Sequence, residues 1–188
     1  RPQKWEFLAG NWNSAVNHCT HDLLFLLNDD VYLTGPSFSE TLSQIPTFDN
    51  MGGCVVPFYE PPHGTWDGGI IGNQLGKNIQ GIHGCSNLIR KSIWSDMNGF
   101  DTVIQLVEDE YCCFAISRGY DIYSVCIEHP IIHLHGQSSK ESHVICTPEM
   151  GQGSQRGFTE FKRKYNVDFY EWAAAPFKYW VDEGSRHE

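Results

Sequence analysis

Three short clusters in this chain hold residue types that can do chemistry. Asn28-Asp29-Asp30 sets an amide and two carboxylates in a row, hard oxygen donors of the kind that suit magnesium or manganese. Glu108-Asp109 is a second acidic pair, and His133 and His135 are two imidazoles at i and i+2, which share one face if the segment is a strand. Each cluster also has an ordinary structural explanation. Asp and Asn end strands as turn residues, acids cap helix starts, and a strand histidine is commonly structural. The order of the clusters and the elements that carry them must decide.

The first cluster closes the apolar run from Asp22 to Leu27 (Leu-Leu-Phe-Leu-Leu after the aspartate). A run without polar alternation reads as a strand buried on both faces, as in the middle of a parallel sheet. Ligands of such sheets bind beyond the carboxyl ends of the strands. With a period of two, Asn28 and Asp30 point one way and Asp29 the other. The second cluster leads into Cys112, Ala115 and Ile116 with Gly119 as a stop, a helix whose dipole favours ionised acids in its first turn.

Around these, Lys4 to Ala9 reads as a short strand and Asn13 to Cys19 as a helix. Ser37 to Ile45 reads as helix and Gly53 to Tyr59 as strand. Residues 60–81, rich in Gly and Pro, read as one long loop of the functional kind, with Trp66 in its middle either stacking on a sugar ring or anchoring the loop. Asn87 to Trp94 reads as a helix stopped near Asn98-Gly99, and Asp121 to Cys126 and Ile131 to His135 as strands. Residues 136–157, rich in Ser and Gly, read as flexible. Phe158, Phe161 and Tyr165 recur at helical spacing in the closing segment, 158–181. Strands alternating with helices make the class α/β.

Composition narrows the function. The 188 residues fit a single domain, 1–188, with a core over about 4–136, a flexible segment over about 137–157 and a C-terminal helical segment. A formal net charge of −10 argues against sequence-independent nucleic-acid binding, which needs clustered cations. It would also repel an anionic substrate unless a cation mediated the contact. The seven cysteines contain no C-x-x-C pair and are odd in number, so neither zinc nor a disulfide framework is signalled. Free thiols in a reducing cytoplasm follow. No stretch is long and apolar enough to be a transmembrane segment.

The series Asn17, then Leu26-Leu27-Asn28-Asp29-Asp30-Val31, then Asn87-Leu88-Ile89-Arg90 with Gly99-Phe100-Asp101, then Glu108-Asp109, Arg118-Gly119-Tyr120 and His133 to Ser138 resembles family 2 glycosyltransferases of the GT-A fold. Gly157-Phe158-x-x-Phe161-x-x-Lys164-Tyr165 is similar to the segment that follows the catalytic domain in many of them. The resemblance spans roughly residues 10–166. It implies a Rossmann-like, mainly parallel sheet flanked by helices, and a metal-dependent inverting hexosyltransferase of carbohydrate biosynthesis using a nucleotide-diphosphate sugar.

By that resemblance, Asn28-Asp29-Asp30 matches the motif holding Mn2+ or Mg2+ against the donor diphosphate. Asp30 is then the metal ligand, and Asn17, Asn28 and Asp29 belong to the donor site. Asn28 replaces the usual first acid. Asp109 matches the catalytic base, with Glu108 beside it. His133, or alternatively His135, completes the metal site, and Trp66 is the acceptor-side aromatic. The family's opening strand-helix-strand unit is missing from this sequence, which by the resemblance implies a longer natural chain, a second chain that completes the sheet, or a reduced relative with an incomplete donor site. Two other readings remain open: a non-catalytic glycosyltransferase-like module binding a partner or glycan, and a metal-dependent phosphohydrolase or nucleotidyltransferase.

Overall fold

The computed structural model describes residues 8–34, 43, 50–56, 58–60, 64–66, 76–77, 86–104, 107–124, 131–134 and 155–171. In chain order these form α1 (Leu8–His18), β1 (Leu23–Leu27), β2 (Val31–Tyr32), β3 (Met51–Val55), β4 (Phe58–Glu60), β5 (Gly64–Trp66), β6 (Gly76–Lys77), β7 (Ser86–Arg90), α2 (Lys91–Asp96), α3 (Val107–Ser117), β8 (Asp121–Ser124), β9 (Ile131–His133) and α4 (Gln155–Tyr165). The class is mixed α/β, as expected.

Two sheets organise the strands. The larger has the order β1-β7-β3-β8-β6 and the smaller β2-β9-β4-β5. Among the described residues the sheet is not mainly parallel: only β3–β8 and β4–β9 pair in parallel, and the five other pairings are antiparallel. β7 runs antiparallel to both its neighbours, so β1, β3 and β8 still share one direction. Their carboxyl ends therefore define one rim.

β1 differs from the strand its apolar run predicts. Among the described residues it has a single partner, β7, and so lies at the sheet edge. Leu24 is buried, Leu23 is exposed, and the next three residues are half-buried. Hydropathy alone does not separate a central strand from an edge strand whose faces are both covered. One face carries Leu24, Ile89, Ile93, Tyr111, Ala115, Ile122 and Phe161, a core shared with the helices. The other packs Cys54, Leu88 and Tyr123 against Ile131 of the small sheet, with Phe25, Leu27 and Val31 at its margin.

Several boundaries move. Leu8 and Ala9 open α1 rather than closing a strand. Ser86–Arg90 is a strand, and only Lys91–Asp96 is helical. The short apolar segment is ambiguous by periodicity, and ladders on both sides decide for strand. The segment Gly53 to Tyr59 divides between the two sheets, with β3 in one and β4 in the other. The 60–81 region contains β5 and β6, so Trp66 sits on a strand and not in a loop. Helix α4 begins at Gln155, inside the stretch read as flexible. The expected helix at Ser37 to Ile45, apart from Ser43, and the segment 135–154 lie outside the described residues.

Capping explains the short α2. Asp22 accepts hydrogen bonds from the Ser92 N–H at 2.7 Å and from Arg90 Nη1 at 3.1 Å, supplying a carboxylate to a helix start that lacks its own cap. The helix ends in left-handed residues at Asn98 (φ 66°) and Gly99 (φ 80°).

Helix α3 approaches the sheet through Gly52 and Gly53. A Cβ on Gly52 would lie 3.3 Å from the Ala115 Cβ, and one on Gly53 would lie 3.4 Å from the Tyr111 ring. The Tyr111 hydroxyl fastens this contact, donating to the Gly52 carbonyl at 2.5 Å and accepting from the Arg90 N–H at 2.8 Å.

Candidate rim site

The turn after β1 and the end of β9 meet. His133 Nε2 lies 3.3 Å from Asp30 Oδ1, and both side chains are nearly buried (11% and 9% exposed). The pairing of β2 with β9 sets this up, because Val31 stands opposite His133. One step further, the Leu134 N–H donates to the Asp30 carbonyl at 3.0 Å. Residues 103 apart in sequence (133 − 30) are thus joined through two strands and a main-chain bond. Asn28 is half-buried and Asp29 exposed. His135 lies outside the described residues.

A carboxylate and an imidazole suit a hexacoordinate divalent cation as a partial donor set. Neighbouring ligands at about 2.1 Å from such an ion stand about 3 Å apart, close to the 3.3 Å separation here. Asp30 and His133 therefore fit two adjacent ligand positions. Among the described residues no third His, Cys, Asp or Glu joins them, so the remaining positions would fall to a ligand's own oxygens and water.

Glu108 and Asp109 open α3 with Glu110. Their electrostatics reverse the expectation from the helix dipole. Burial pushes the Glu108 carboxyl up to about 8, with the neighbouring Asp109 charge adding to the rise. Burial likewise lifts Asp109 to about 7. Loss of water outweighs a dipole effect worth ~0.3–1 kcal/mol. A half-buried carboxyl that titrates near neutrality can act as a proton acceptor.

The two acidic clusters share the rim. Ala115 lies against Gly52, and Tyr111 against Gly53, so α3 runs backwards along β3. The start of α3, with Glu108 and Asp109, is thus directed toward the carboxyl end of β3. Asn17 does not join them. It is exposed on α1, at the other end of β1, where Lys91 Nζ donates to the Cys19 carbonyl at 2.5 Å. The five residues of β1 hold the two ends about 16 Å apart. The neighbouring Asn13, which sequence reasoning passed over, does structural work. Its Oδ1 accepts from the Phe100 N–H at 2.8 Å and from Trp94 Nε1 at 3.1 Å, and its Nδ2 donates to the Phe100 carbonyl at 2.8 Å. The Trp66 backbone pairs with Phe58 at the edge of the small sheet.

Glu110 is a second fully buried acid beside Glu108, turned away from this chemistry. It accepts from the Asp101 N–H at 2.8 Å, from Lys164 Nζ at 2.6 Å and from the Tyr165 hydroxyl at 3.0 Å. Sequence spacing gave no sign of it.

Comparison of the chain with family models, with curated proteins and with solved structures finds no match. Among the described residues, no helix is long and apolar enough to cross a membrane.

Proposed function

We propose that the chain is a metal-dependent, inverting glycosyltransferase with a GT-A-like fold, moving a sugar from a nucleotide-diphosphate donor to an acceptor hydroxyl. The observation that carries this reading is the 3.3 Å approach of His133 to Asp30 at the rim where β1, β3 and β8 end. Asp109 and Glu108, in a water-poor setting at the start of α3, support it.

In this reading Asp30 and His133 hold Mn2+ or Mg2+. The bound cation supplies neutralising charge to the diphosphate as it leaves. Asp29, exposed beside Asp30, faces the ribose or sugar. Asp109 takes the proton of the acceptor hydroxyl as its oxygen bonds to the anomeric carbon. The bond from that carbon to the diphosphate oxygen breaks, and its electron pair departs with the nucleotide. A single displacement needs one base and no carboxylate nucleophile. Cys19, Cys54, Cys112 and Cys113 form no disulfide among the described residues, which supports a reducing, cytoplasmic setting.

The test is transfer from a panel of nucleotide sugars in Mn2+ to a glycan acceptor mixture. Asp109→Asn is expected to abolish transfer while retaining donor binding. Wild-type rates in that variant would remove Asp109 as the base.

One observation favours a second reading. Only two metal-ligating side chains converge among the described residues, and Asn28 stands where a third acid is expected. A non-catalytic glycosyltransferase-like module would need no more. Calorimetry separates the two, because such a module binds no nucleotide sugar in Mn2+.

A further inference from the structure

Asn87 is 1% exposed on β7, and neither its Nδ2 nor its Oδ1 has a hydrogen-bond partner among the described residues. An amide buried in that state is destabilising, and such groups are rare in folded proteins. Its neighbour Ser86 meets its own need, donating to the Val56 carbonyl at 2.6 Å. Asn87 is the exception on its strand.

Register locates it. Asn87 stands opposite Leu26 on one side and Val55 on the other, the last residues but one and last of their strands. By the strand period it shares a face with Ile89 and with Gly53, where Tyr111 of α3 lies. Glu108 precedes Tyr111 by three residues and Ala115 by seven, so it belongs to the same sheet-facing stripe of α3. That stripe sets Glu108 on the side of α3 that faces the sheet surface carrying Asn87. The unmet amide on β7 and the buried Glu108 carboxyl thus both belong to the layer between the sheet and α3, toward the carboxyl ends of β1 and β3.

We infer that Asn87 and Glu108 form the floor of a subsite that holds a sugar hydroxyl, with Asn87 donating and accepting at once. A hydroxyl matches an amide in this way because it carries one donor and two acceptor lone pairs. With so little exposure, Asn87 is reached only by a group inserted between β7 and α3, which excludes water around the bond and favours discrimination between hydroxyl and hydrogen. The inference rests on the transferase reading for its ligand class and deepens it by naming the residue that reads the sugar.

Wild type, Asn87→Leu and Asn87→Ser are compared by thermal melting and calorimetry. The probes are UDP, UDP-glucose, UDP-N-acetylglucosamine, GDP and GDP-mannose in Mn2+, and the free sugars glucose, N-acetylglucosamine and mannose. Wild type is expected to bind at least one sugar-bearing probe more tightly than the bare nucleotide. Asn87→Leu is expected to lose that increment by at least tenfold, to keep bare-nucleotide affinity within twofold, and to melt at or above the wild-type temperature. If no nucleotide binds but a free sugar binds wild type and not Asn87→Leu, the transferase reading fails and the subsite stands. Equal sugar binding by wild type and Asn87→Leu overturns the subsite. So does the absence of any sugar increment in wild type, or a melting loss of more than 5 °C in both variants, which would make the amide structural.

Discussion

Lys164 Nζ lies 2.6 Å from Glu110 Oε1, so α4 is tied to α3 at the residue that follows Asp109. Glu110 is fully buried, while Lys164 keeps 29% of its side chain exposed. Burial raises the Glu110 carboxyl, and Lys164, the Asp101 N–H and Tyr165 draw it partly back. Removing the lysine leaves a buried charge with less compensation. Lys164→Met is expected to lower stability by about 2–4 kcal/mol at neutral pH, below the upper range for fully buried pairs because the lysine is partly solvated. Urea denaturation measures it. The deficit should shrink in acid, where Glu110 is protonated and no longer needs the cation.

The raised Glu108 and Asp109 carboxyls make stability depend on pH. Their ordinary values of 4.5 and 3.8 rise to about 8 and about 7 in the folded chain. The folded state therefore holds these protons more tightly than the unfolded one. Their contribution is fully present below the ordinary values, falls as pH climbs between about 4 and 8, and is lost above that window. Urea midpoints at pH 5 and pH 9 should differ more in wild type than in Glu108→Gln. Parallel shifts in the two proteins would show that Glu108 is not the source.

The same titration sets the direction of activity. Asp109 accepts a proton only when ionised, so transfer by the unliganded enzyme, read as kcat/KM, should rise through about pH 7. A profile flat from pH 5 to pH 9 would contradict a base at this position.

Asp30→Asn and His133→Ala are each expected to weaken Mn2+-dependent nucleotide binding by at least tenfold, read by calorimetry. Binding of nucleotide without the metal should change little. The main-chain bond from Leu134 to Asp30 survives both substitutions, so the melting temperature should stay within a few degrees of wild type.

Asn13→Ala removes an amide that satisfies both polar groups of the Phe100 backbone and the Trp94 indole. It is expected to reduce stability by about 2–4 kcal/mol, since each buried group left unmet weighs about 1–3 kcal/mol. Chemical denaturation checks it, and a loss under 1 kcal/mol would show that water replaces the amide.

How much of this was legible in the sequence depended on whether the signal was local. The run Leu23 to Leu27 and the acidic start of α3 declared themselves, because hydropathy and turn chemistry act within a few residues. Ser86–Arg90 did not: Leu88 and Ile89 fit helix or strand equally, and the choice came from ladders with β1 and β3. The meeting of Asp30 with His133 was anticipated by resemblance alone, since nothing near either residue encodes the other. Asn17 was chosen and Asn13 missed because both are polar positions on one helix. Only contact with Phe100 and Trp94, more than eighty residues on, separates them. The sign of the Glu108 shift was hidden for a related reason. The helix dipole is visible in sequence, whereas the burial that overrides it is assembled from several distant elements.

Gly52 and Gly53 give the rim an unusual kind of accuracy. Because α3 rests on bare main chain there, its height above the sheet is a fixed stop rather than an average over side-chain rotamers. Both carboxylates at its start inherit that tolerance. An alanine at Gly52 would meet the Tyr120 Cβ at 2.8 Å and the Ala115 Cβ at 3.3 Å, and would shim the whole helix outward. Glu108 and Asp109 would then drift together by the same fraction of an ångström, misaligned with Asp30 even though every reactive group was still present.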